Sequence, residues 1–512
     1  MAEYTSLQDT IYQPVAHQIS THGVAPDRPH ESLGDNYLAS ALNFYVRDGR
    51  VQKRGGLSTI IGATAFSGTP QTLFEFSPVG AAGSAILVAA APADFYYTTG
   101  SNWTNITTTA RTGLVNFAQP IFFTTFLTAS AGQWLVSVNG VDPPCRWSGS
   151  TSSAFINFTT AVVGACVTSW HAHLLQGDTT DTGDGHITTR VHWSALGDSH
   201  TWSGTASAGF LDLMSLNATR VMNLVAMRTT LLAYKEEGVH ALIYKASPFY
   251  FTQVEMHGLI SVVSRRAIAP IQSGDIHFVM TRDGAILWDG QSVRPIGKDR
   301  VDKTILNQIN FDFRESLSCT WWPLENEVII TIPGPNSGGG APVRCWIYSL
   351  THDAWWEQDL SLLTVFASTT TYGGRRLIGG LSGSAFPMRL FESLADGTAS
   401  AAISSSIQTG FYDYDQFNHK DIYKTHVVFG PGTGLTSTIQ LSKAGQENSI
   451  VTPTFASAQS LTSTGGPGLP FVDYRLTNRW ISYRITHTAA SEICQVAAII
   501  PELTPRTGRR KD

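Results

Sequence analysis

GDIHFVMTRDGAILWDGQS, residues Gly274–Ser292, is the stretch whose reading decides the fold. Ile276, Phe278 and Met280 alternate with His277, Val279 and Thr281, the period-two pattern of a strand with two different faces. Asp283-Gly284 is expected to supply the two positive-φ positions of a tight hairpin turn. Ile286 and Trp288 then resume the alternation before a second turn signal at Asp289-Gly290. The stretch is therefore read as a β-hairpin. Weaker copies of the unit, a short strand, a glycine turn and an aromatic, recur along most of the chain.

The aromatics give the recurrence a period. Trp103 to Trp147 is 44 residues, Trp147 to Trp193 is 46, and Tyr244 to Trp288 is 44. A spacing of about 40–50 residues with several short strands per unit is that of propeller blades, in which one large aromatic can seal each blade against the next. The hairpin signals between anchors fit: Asn139-Gly140 in QWLVSVNGVDPPCRW, and Glu236-Glu237-Gly238 in TLLAYKEEGVHALIYK. Further strand pairs are read in CTWWPLENEVIITIPG, VRCWIYSLTHDAWW and RRLIGGLSGSAFPMRLF.

Composition supports the same class. At 512 residues the chain exceeds one ordinary core. Charged residues are 14% of it, against a typical value of about 25%; Thr, Ser, Gly and aromatics fill the difference, as in strands and turns. So little surface charge suits a chain largely covered in an assembly. The 34 basic and 39 acidic residues leave a net charge of −5, which excludes a global basic field for holding nucleic acid by counterion release. The only basic cluster is Arg506, Arg509, Arg510 and Lys511. Cys145, Cys166, Cys319, Cys345 and Cys494 form no CxxC pair and are read as reduced, partly buried thiols. The polar N-terminus MAEYTSLQD does not read as a secretory signal, so the sequons at Asn102, Asn105, Asn157 and Asn217 are read as chance. The longest apolar runs, Ile86–Ala91 and Ile121–Leu127, are far short of the roughly 18 residues a membrane-spanning helix needs.

These observations give an all-β expectation with four parts. Residues 1–60 form an extended arm and a hairpin turning at Asp48-Gly49 and stopping at Gly55-Gly56, with a short helix capped by Asp35 that carries Leu38 and Leu42 on one face. Residues 61–402 form a β-propeller-like domain. It is interrupted near 299–315 by a short helix with Val301, Ile305 and Ile309 on one face and Asp299 or Asp302 as cap. Residues 403–503 form a separate β-sandwich, and 504–512 a basic tail. The Gly-rich run Pro333–Pro342 lacks the Lys-Ser/Thr of a phosphate loop and is read as a hairpin loop.

No residue is assigned a catalytic, cofactor-binding or metal role. His171 and His173 lie two apart on an expected strand and so share a face; Asp178, Asp181, Asp184 and His186 follow in an expected loop, Asp178–His186, with His192 further on. A metal site there is conceivable, but the acidic spacing of three does not match a calcium loop. No G-x-S-x-G nucleophile elbow exists; GGLSGS at Gly379–Ser384 comes nearest. Glu236, Glu255, Asp283, Glu325 and Glu357 are candidate glycosidase carboxylates that nothing in the sequence pairs. TRDGAILW is similar to the Asp-box of sialidases, itself a blade turn, so Asp283 is read as a turn residue.

Several blocks together resemble the tail nozzle proteins of short-tailed bacteriophages, also called tail tubular or packaged-DNA stabilisation proteins. The likeness runs through nearly the whole chain: GVAPDRP…LNFYVRDGRVQKRGGL, VHWSALGDSHTW followed by TTLLAYKEEGVHALIY, GDIHFVMTRDGAILWDGQSVRPIGK, CWIYSLTHDAWWEQ, and RLTNRWISYRI before the basic tail. KEEGVHAL departs from the commoner form, which has Ser before the hydrophobic step. The resemblance implies a non-enzymatic virion protein assembled in the bacterial cytoplasm as a ring, commonly a hexamer, at the lower end of the tail. It implies a portal or adaptor ring above, tail fibres or spikes as partners, and double-stranded DNA passing through the lumen without specific binding. No cofactor and no membrane segment are implied. A mildly acidic surface suits such a lumen, since each neutralised phosphate would add affinity and friction. The competing readings are another tail or baseplate protein, or a carbohydrate-binding or glycan-degrading propeller.

Overall fold

The computed structural model describes residues 17–505 except 19–21, 48–49, 61–65, 67, 79–84, 99–101, 109–119, 130–131, 151, 160, 206, 215–217, 248, 335–341, 368–375, 383, 385, 397–400, 413, 415–418, 431–434, 443–452, 464–469 and 491. The basic cluster at 506–511, the Asp48-Gly49 turn and Asn217 fall outside the described residues.

The expected hairpin is present, with its turn one residue earlier. Ile276–Thr281 pairs antiparallel with Gly284–Trp288, and Thr281 stands opposite Gly284. Arg282 and Asp283 therefore make the turn, and neither has a positive φ; only Gly284 does, at 132°. The period-two pattern also means something different from inside and outside, because both faces are buried from His277 to Trp288 apart from the turn. His277 faces Tyr234 of the preceding sheet, while Phe278 faces Tyr348 of the following one, with ring centroids 6.5 Å apart. The alternation distinguishes two protein neighbours.

The molecule is all-β, with several four-stranded antiparallel sheets of the kind found as propeller blades. Among the described residues six are separate, and a seventh forms part of a nine-stranded sheet. In chain order they are sheet 1 (Thr72–Phe76 to Thr104–Asn105), sheet 2 (Phe122–Thr128 to Ile156–Asn157), sheet 3 (Val162–Trp170 to Gly209–Asp212) and sheet 4 (Val221–Met227 to Phe251–His257). Sheet 5 runs from Ile268–Ile271 to Val293–Pro295, and sheet 6 from Ser318–Trp322 to Ala354–Gln358. Sheet 7 combines Leu362–Ala367, Leu377–Leu381 and Pro387–Ser393 with Gly56–Thr59. The first strand of each sheet packs on the first strand of the next, and that of sheet 7 packs on that of sheet 1. The aromatic period has a structural counterpart: Trp147, Trp193, Tyr244 and Trp288 each end the third strand of their sheets. Trp103 instead precedes the fourth strand of sheet 1.

Much of the expected arm, residues 1–16 and 19–21, lies outside the described residues, and the strands in the rest of 1–60 pair into other sheets. Leu38–Leu42, expected as an Asp35-capped helix, is a strand. The apolar pair at i and i+4 that suggested a helix face also fits one face of a strand, and sheet pairing decides between them. This strand joins Ala354–Gln358 in parallel to Ser405–Thr409 in antiparallel. The nine-stranded sheet thus runs from sheet 6 through Leu38–Leu42 into Ser405–Thr409, Tyr483–His487, Leu435–Leu441 and Gln459–Ser463. A second sheet orders Phe44–Arg47, Arg50–Lys53, Gln495–Pro505, Lys420–Phe429 and Phe471–Asn478, with His17–Gln18 also on Gln495–Pro505. Residues 403–503 accordingly do not stand apart. Ile422, Ile439, Leu441, Ile485 and Val496 share one core cluster with Phe44, Val51 and the Trp346 and Trp356 of sheet 6.

The helical insertion is α1, Asp302–Gln308, followed by a 3-10 segment, Phe311–Ser316. Neither Asp299 nor Asp302 caps it. Val301 holds the N-cap position, and the carboxylate of Asp27 accepts from Lys303 N–H at 2.8 Å and Thr304 N–H at 2.9 Å, a cap supplied from the N-terminal segment. Pro333 and Pro342 pair as the ends of a hairpin, as expected. All five cysteines are buried and none is in a disulfide. No helix among the described residues is long and apolar enough to cross a membrane.

Trp288 is 1% exposed and sits edge-on to Tyr234, with centroids 5.9 Å apart. Its indole N–H has no partner among the described residues, so the ring contributes by filling space. Trp288→Ala should lower unfolding free energy by about 3–5 kcal/mol in denaturant titration, and Trp288→Phe by clearly less. Behind it, Tyr234 O–H donates to His277 Nδ1 at 2.6 Å and His277 Nε2–H donates to Ala226 O at 3.1 Å, so the imidazole is neutral. Burial pulls its pKa down from 6.5 to about 4. The unfolded chain then takes up this proton first as pH falls. Stability is full above about pH 6.5 and declines towards pH 4, by about 3 kcal/mol in all, and His277→Gln should flatten that segment of the stability–pH curve.

Candidate functional site

Charge is concentrated in three places: the middle of the sheets, a pocket on sheet 3, and a pocket beside the opening hairpin. In the middle, two arginines precede the first strand of sheet 5. Arg265 Nη2 donates to Asp178 Oδ2 of sheet 3 at 2.6 Å, and its Nη1 lies 3.4 Å from Glu315. Its carbonyl accepts from Asn223 of sheet 4 at 2.9 Å. Arg266 Nη1 donates to the carbonyl of Gln71, which leads into sheet 1, at 2.8 Å. Sheets 1 and 5 are not neighbours in the packing order, so this bond crosses the middle of the array. Arg266 also bridges to Ser318 of sheet 6. Five sheets meet at these two residues, sheets 1 and 3 through their side chains and sheets 4 and 6 through their backbone. Burial works against the charge on Arg265, but Glu315 and Asp178 outweigh it and hold its pKa above the ordinary value. Arg266 is pulled down to about 10 by burial, with Glu315 opposing, and burial pushes the neighbouring Cys166 thiol up to about 12, so it is no nucleophile.

The histidines and aspartates of residues 171–192 are placed differently from the expected loop. His171 and Ala172 are the two positive-φ residues of a hairpin turn, with Trp170 opposite His173, so the two histidines do not share a strand face. Residues 178–186 are mostly paired strand. Asp178, at φ 55°, sits where the register shifts between Gly177 and Thr179, and that bulge coincides with its side chain meeting Arg265. Arg190 takes the remaining charge: Asp212 at 2.7 Å, Asp181 at 2.8 Å and Asp184 at 2.5 Å. Those hydrogen bonds, Asp212 foremost and opposed by burial, hold its pKa above the ordinary arginine range. His192 lies between Asp181 at 3.1 Å and the Trp202 carbonyl at 2.8 Å. This network lines a pocket of about 370 Å³ with Phe210, whose ring lies under the Arg190 guanidinium. A guanidinium occupies the place a metal would take, and no metal-competent group of three or more donors occurs among the described residues.

The glycosidase candidates are dispersed. Glu236 is bound by Arg282 and Arg314 at the end of sheet 4, and Glu357 by Arg344 in sheet 6. Glu255 is on the fourth strand of sheet 4, Asp283 in the sheet 5 turn, and Glu325 in the turn after the first strand of sheet 6.

The third place was missed in the sequence. A pocket of about 400 Å³ lies between sheets 4 and 5, lined by Leu259, Ile260, Ile286, Val293 and Pro295, with Asp302 among its polar residues. The Asp302 carboxylate lodges against Gly284 and Gly297, where a side-chain carbon would stand 2.2 Å and 1.9 Å from its atoms. That close approach, as much as the turn, is why glycine stands at 284. Ala285 N–H donates to Asp302 Oδ1 at 3.1 Å. Burial, with smaller contributions from Asp27 and Asp299, pushes the Asp302 pKa up to about 6. The sequence signal was present in the two glycines flanking GAILWDGQSVRPIG, but only the fold brings them to one carboxylate.

No family model and no curated protein matches the chain. Among solved structures it is similar to BBS1N in complex with ARL6DN, at 9% identity over 64% of this chain and 80% of that one, with a TM-score of 0.33. It is similar to the extracellular domain of a B. thetaiotaomicron protein described as a one component system, at 9% identity over 74% and 45%, with a TM-score of 0.39. An exo-beta-1,3-galactanase from Phanerochaete chrysosporium gives 9% identity over 88% and 99%, with a TM-score of 0.26. At these scores the likeness carries no argument about activity, ligand or partner.

Replacing Arg265 by Ala leaves the buried Asp178 with only His186 Nε2, at 2.8 Å, and the partly buried Glu315 without its guanidinium, and should destabilise by about 3–5 kcal/mol. The pair Arg265→Ala/Asp178→Ala should be more stable than the single variant, by denaturant titration, if the ion pair and not the arginine stem is what matters.

Proposed function

We propose that this chain is a structural subunit of a short phage tail: the nozzle ring at the lower end, which retains packaged DNA, conducts it at ejection and carries fibres or spikes. In this reading sheets 1–7 are the blades of a single seven-bladed propeller, closed by Gly56–Thr59. The two mixed sheets of N- and C-terminal strands form a sandwich fused to blade 6.

The observation that carries an architectural role is the bond from Arg266 to Gln71, with Arg265 to Asp178 beside it. Side chains that cross the middle make each subunit solid, so DNA would pass between copies arranged around an axis. Asp178, Asp181, Asp212 and Glu236 are bound by arginines, which favours rigidity over catalysis at those positions. The adjoining outer strands of sheets 3 and 4 supply an apolar surface for assembly: Phe210, Val254 and Met256 are exposed there, with Met214 and Phe249 close in sequence. The tail assignment itself rests on the sequence blocks quoted above.

Negative-stain microscopy and light scattering of the protein, alone and mixed with portal–adaptor complexes, test the proposal. A ring of copies around an open channel on the adaptor is the expected result. A chain that never joins the complex and cleaves host glycans as a monomer would falsify it.

A further inference from the structure

Asp302 is 8% exposed, yet it is not ion-paired. Among the described residues its only side-chain partner is the Ala285 N–H on Oδ1, and no cation comes within ion-pair distance. Its second oxygen has no protein partner, and the residue lines the pocket. An ionised carboxylate in that position is destabilising unless a cation meets it.

The charged surroundings sharpen the need. Asp27 and Asp299 act on Asp302 from the N-terminal segment and from the turn before α1. Asp283 of the sheet 5 turn, Lys298 of the same pre-helix turn and His257 of the sheet 4 edge complete the polar lining. Acidic groups therefore outnumber the one lysine. The other walls, Ile260, Ile286, Val293 and Pro295, are aliphatic. Leu259 of the lining is 85% exposed, and Val254 and Met256 of the strand that precedes it in the chain are exposed too. A metal ion would meet too few donors here. A cationic head on an aliphatic stem matches both halves of the pocket, and an apolar rim suits a protein surface better than a free solute.

We propose that the pocket between sheets 4 and 5 is a socket for one lysine or arginine side chain of a partner protein, its stem against Ile260, Ile286 and Val293 and its charge on Asp302. The socket works whichever assembly the chain belongs to. On docking, the carboxylate gains its missing partner and its ionised form is favoured over the protonated one, so binding should weaken as pH falls through about 6.

The test uses the full chain and three probes: N-acetyl-lysine N-methylamide, its uncharged norleucine counterpart, and putrescine as a free small amine. Binding is read by thermal shift and by the carboxyl carbon signal of Asp302, assigned by its absence in Asp302→Asn. That variant keeps an acceptor for Ala285 and should fold. The expected result is saturable binding of the lysine probe, a drop in the Asp302 titration by about one pH unit or more, and affinity at least about tenfold weaker for norleucine and for Asp302→Asn. Equal binding of norleucine, unchanged binding in Asp302→Asn, or no saturation by about 20 mM, weaker than the usual range for a single-site contact, would overturn the socket. Putrescine binding more than about tenfold tighter than the lysine probe would overturn the protein partner in favour of a free amine.

Discussion

The rest of the structure depends on one short pairing, Gly56–Thr59 against Pro387–Ser393. It joins residues more than 300 apart in sequence, with Ser58 opposite Arg389 and Gly56 opposite Ser393. It completes the last four-stranded sheet with a strand from before the first, so seven units that are each local in sequence become one cyclic packing. Local hairpins form readily; the closing pair must meet the loop-closure entropy of the whole array. Its geometry reflects that demand. A side-chain carbon on Gly55 would stand 2.3 Å from the Phe391 carbonyl oxygen, and one on Gly56 2.0 Å from that of Ala395. Arg54 then clamps the junction, with two bonds to Asp396 at 2.8 Å and 2.5 Å and one to Asn43 at 2.9 Å. The backbone yields at Phe391, whose φ is 64°.

The same N-terminal segment ties the other half of the molecule. Leu38–Leu42 stitches sheet 6 to the C-terminal strands, Phe44–Arg47 and Arg50–Lys53 extend the second mixed sheet, and Asp27 caps α1. Asp27 and these strands therefore hold the C-terminal region and the pocket helix in fixed positions. Buried polar groups set the remaining geometry. The Arg265 and Arg266 bonds fix the sheets across the middle, and Tyr234–His277–Ala226 fixes sheet 4 against sheet 5. Charged and neutral networks of this kind add less to net stability than to uniqueness of arrangement.

Much of this was legible in the sequence, and the boundary is physical. Hairpins with local turn chemistry were readable: Asn139 accepts from Val141 and Asp142 N–H, Gly238 has φ 93°, and Asp289 accepts from Gln291 and Ser292 N–H. The aromatic period was readable because a Trp or Tyr ends the third strand of sheets 2 to 5, although Trp103 stands elsewhere. Contacts between distant residues were not. Leu38–Leu42 looked helical because its partners lie hundreds of residues away. Gly55-Gly56 looked like a stop because the Phe391 and Ala395 carbonyls against it are invisible locally. The acidic run of residues 178–184 looked like a loop because its partners lie elsewhere, Arg190 on the next strand and Arg265 before the first strand of sheet 5. Asp302 looked like a cap, whereas Asp27 serves as cap and Asp302 turns to the pocket.

Native-state hydrogen exchange on the amides of Gly56–Thr59 tests the central claim most directly, because it asks whether the closing strand opens alone or with the whole. If closure organises the molecule, these amides exchange only through the opening that also exposes Leu377–Leu381 and Ile268–Ile271, with the same free energy and the same denaturant dependence. Exchange of Gly56–Thr59 at loop-like rates, while those strands stay protected, would contradict it.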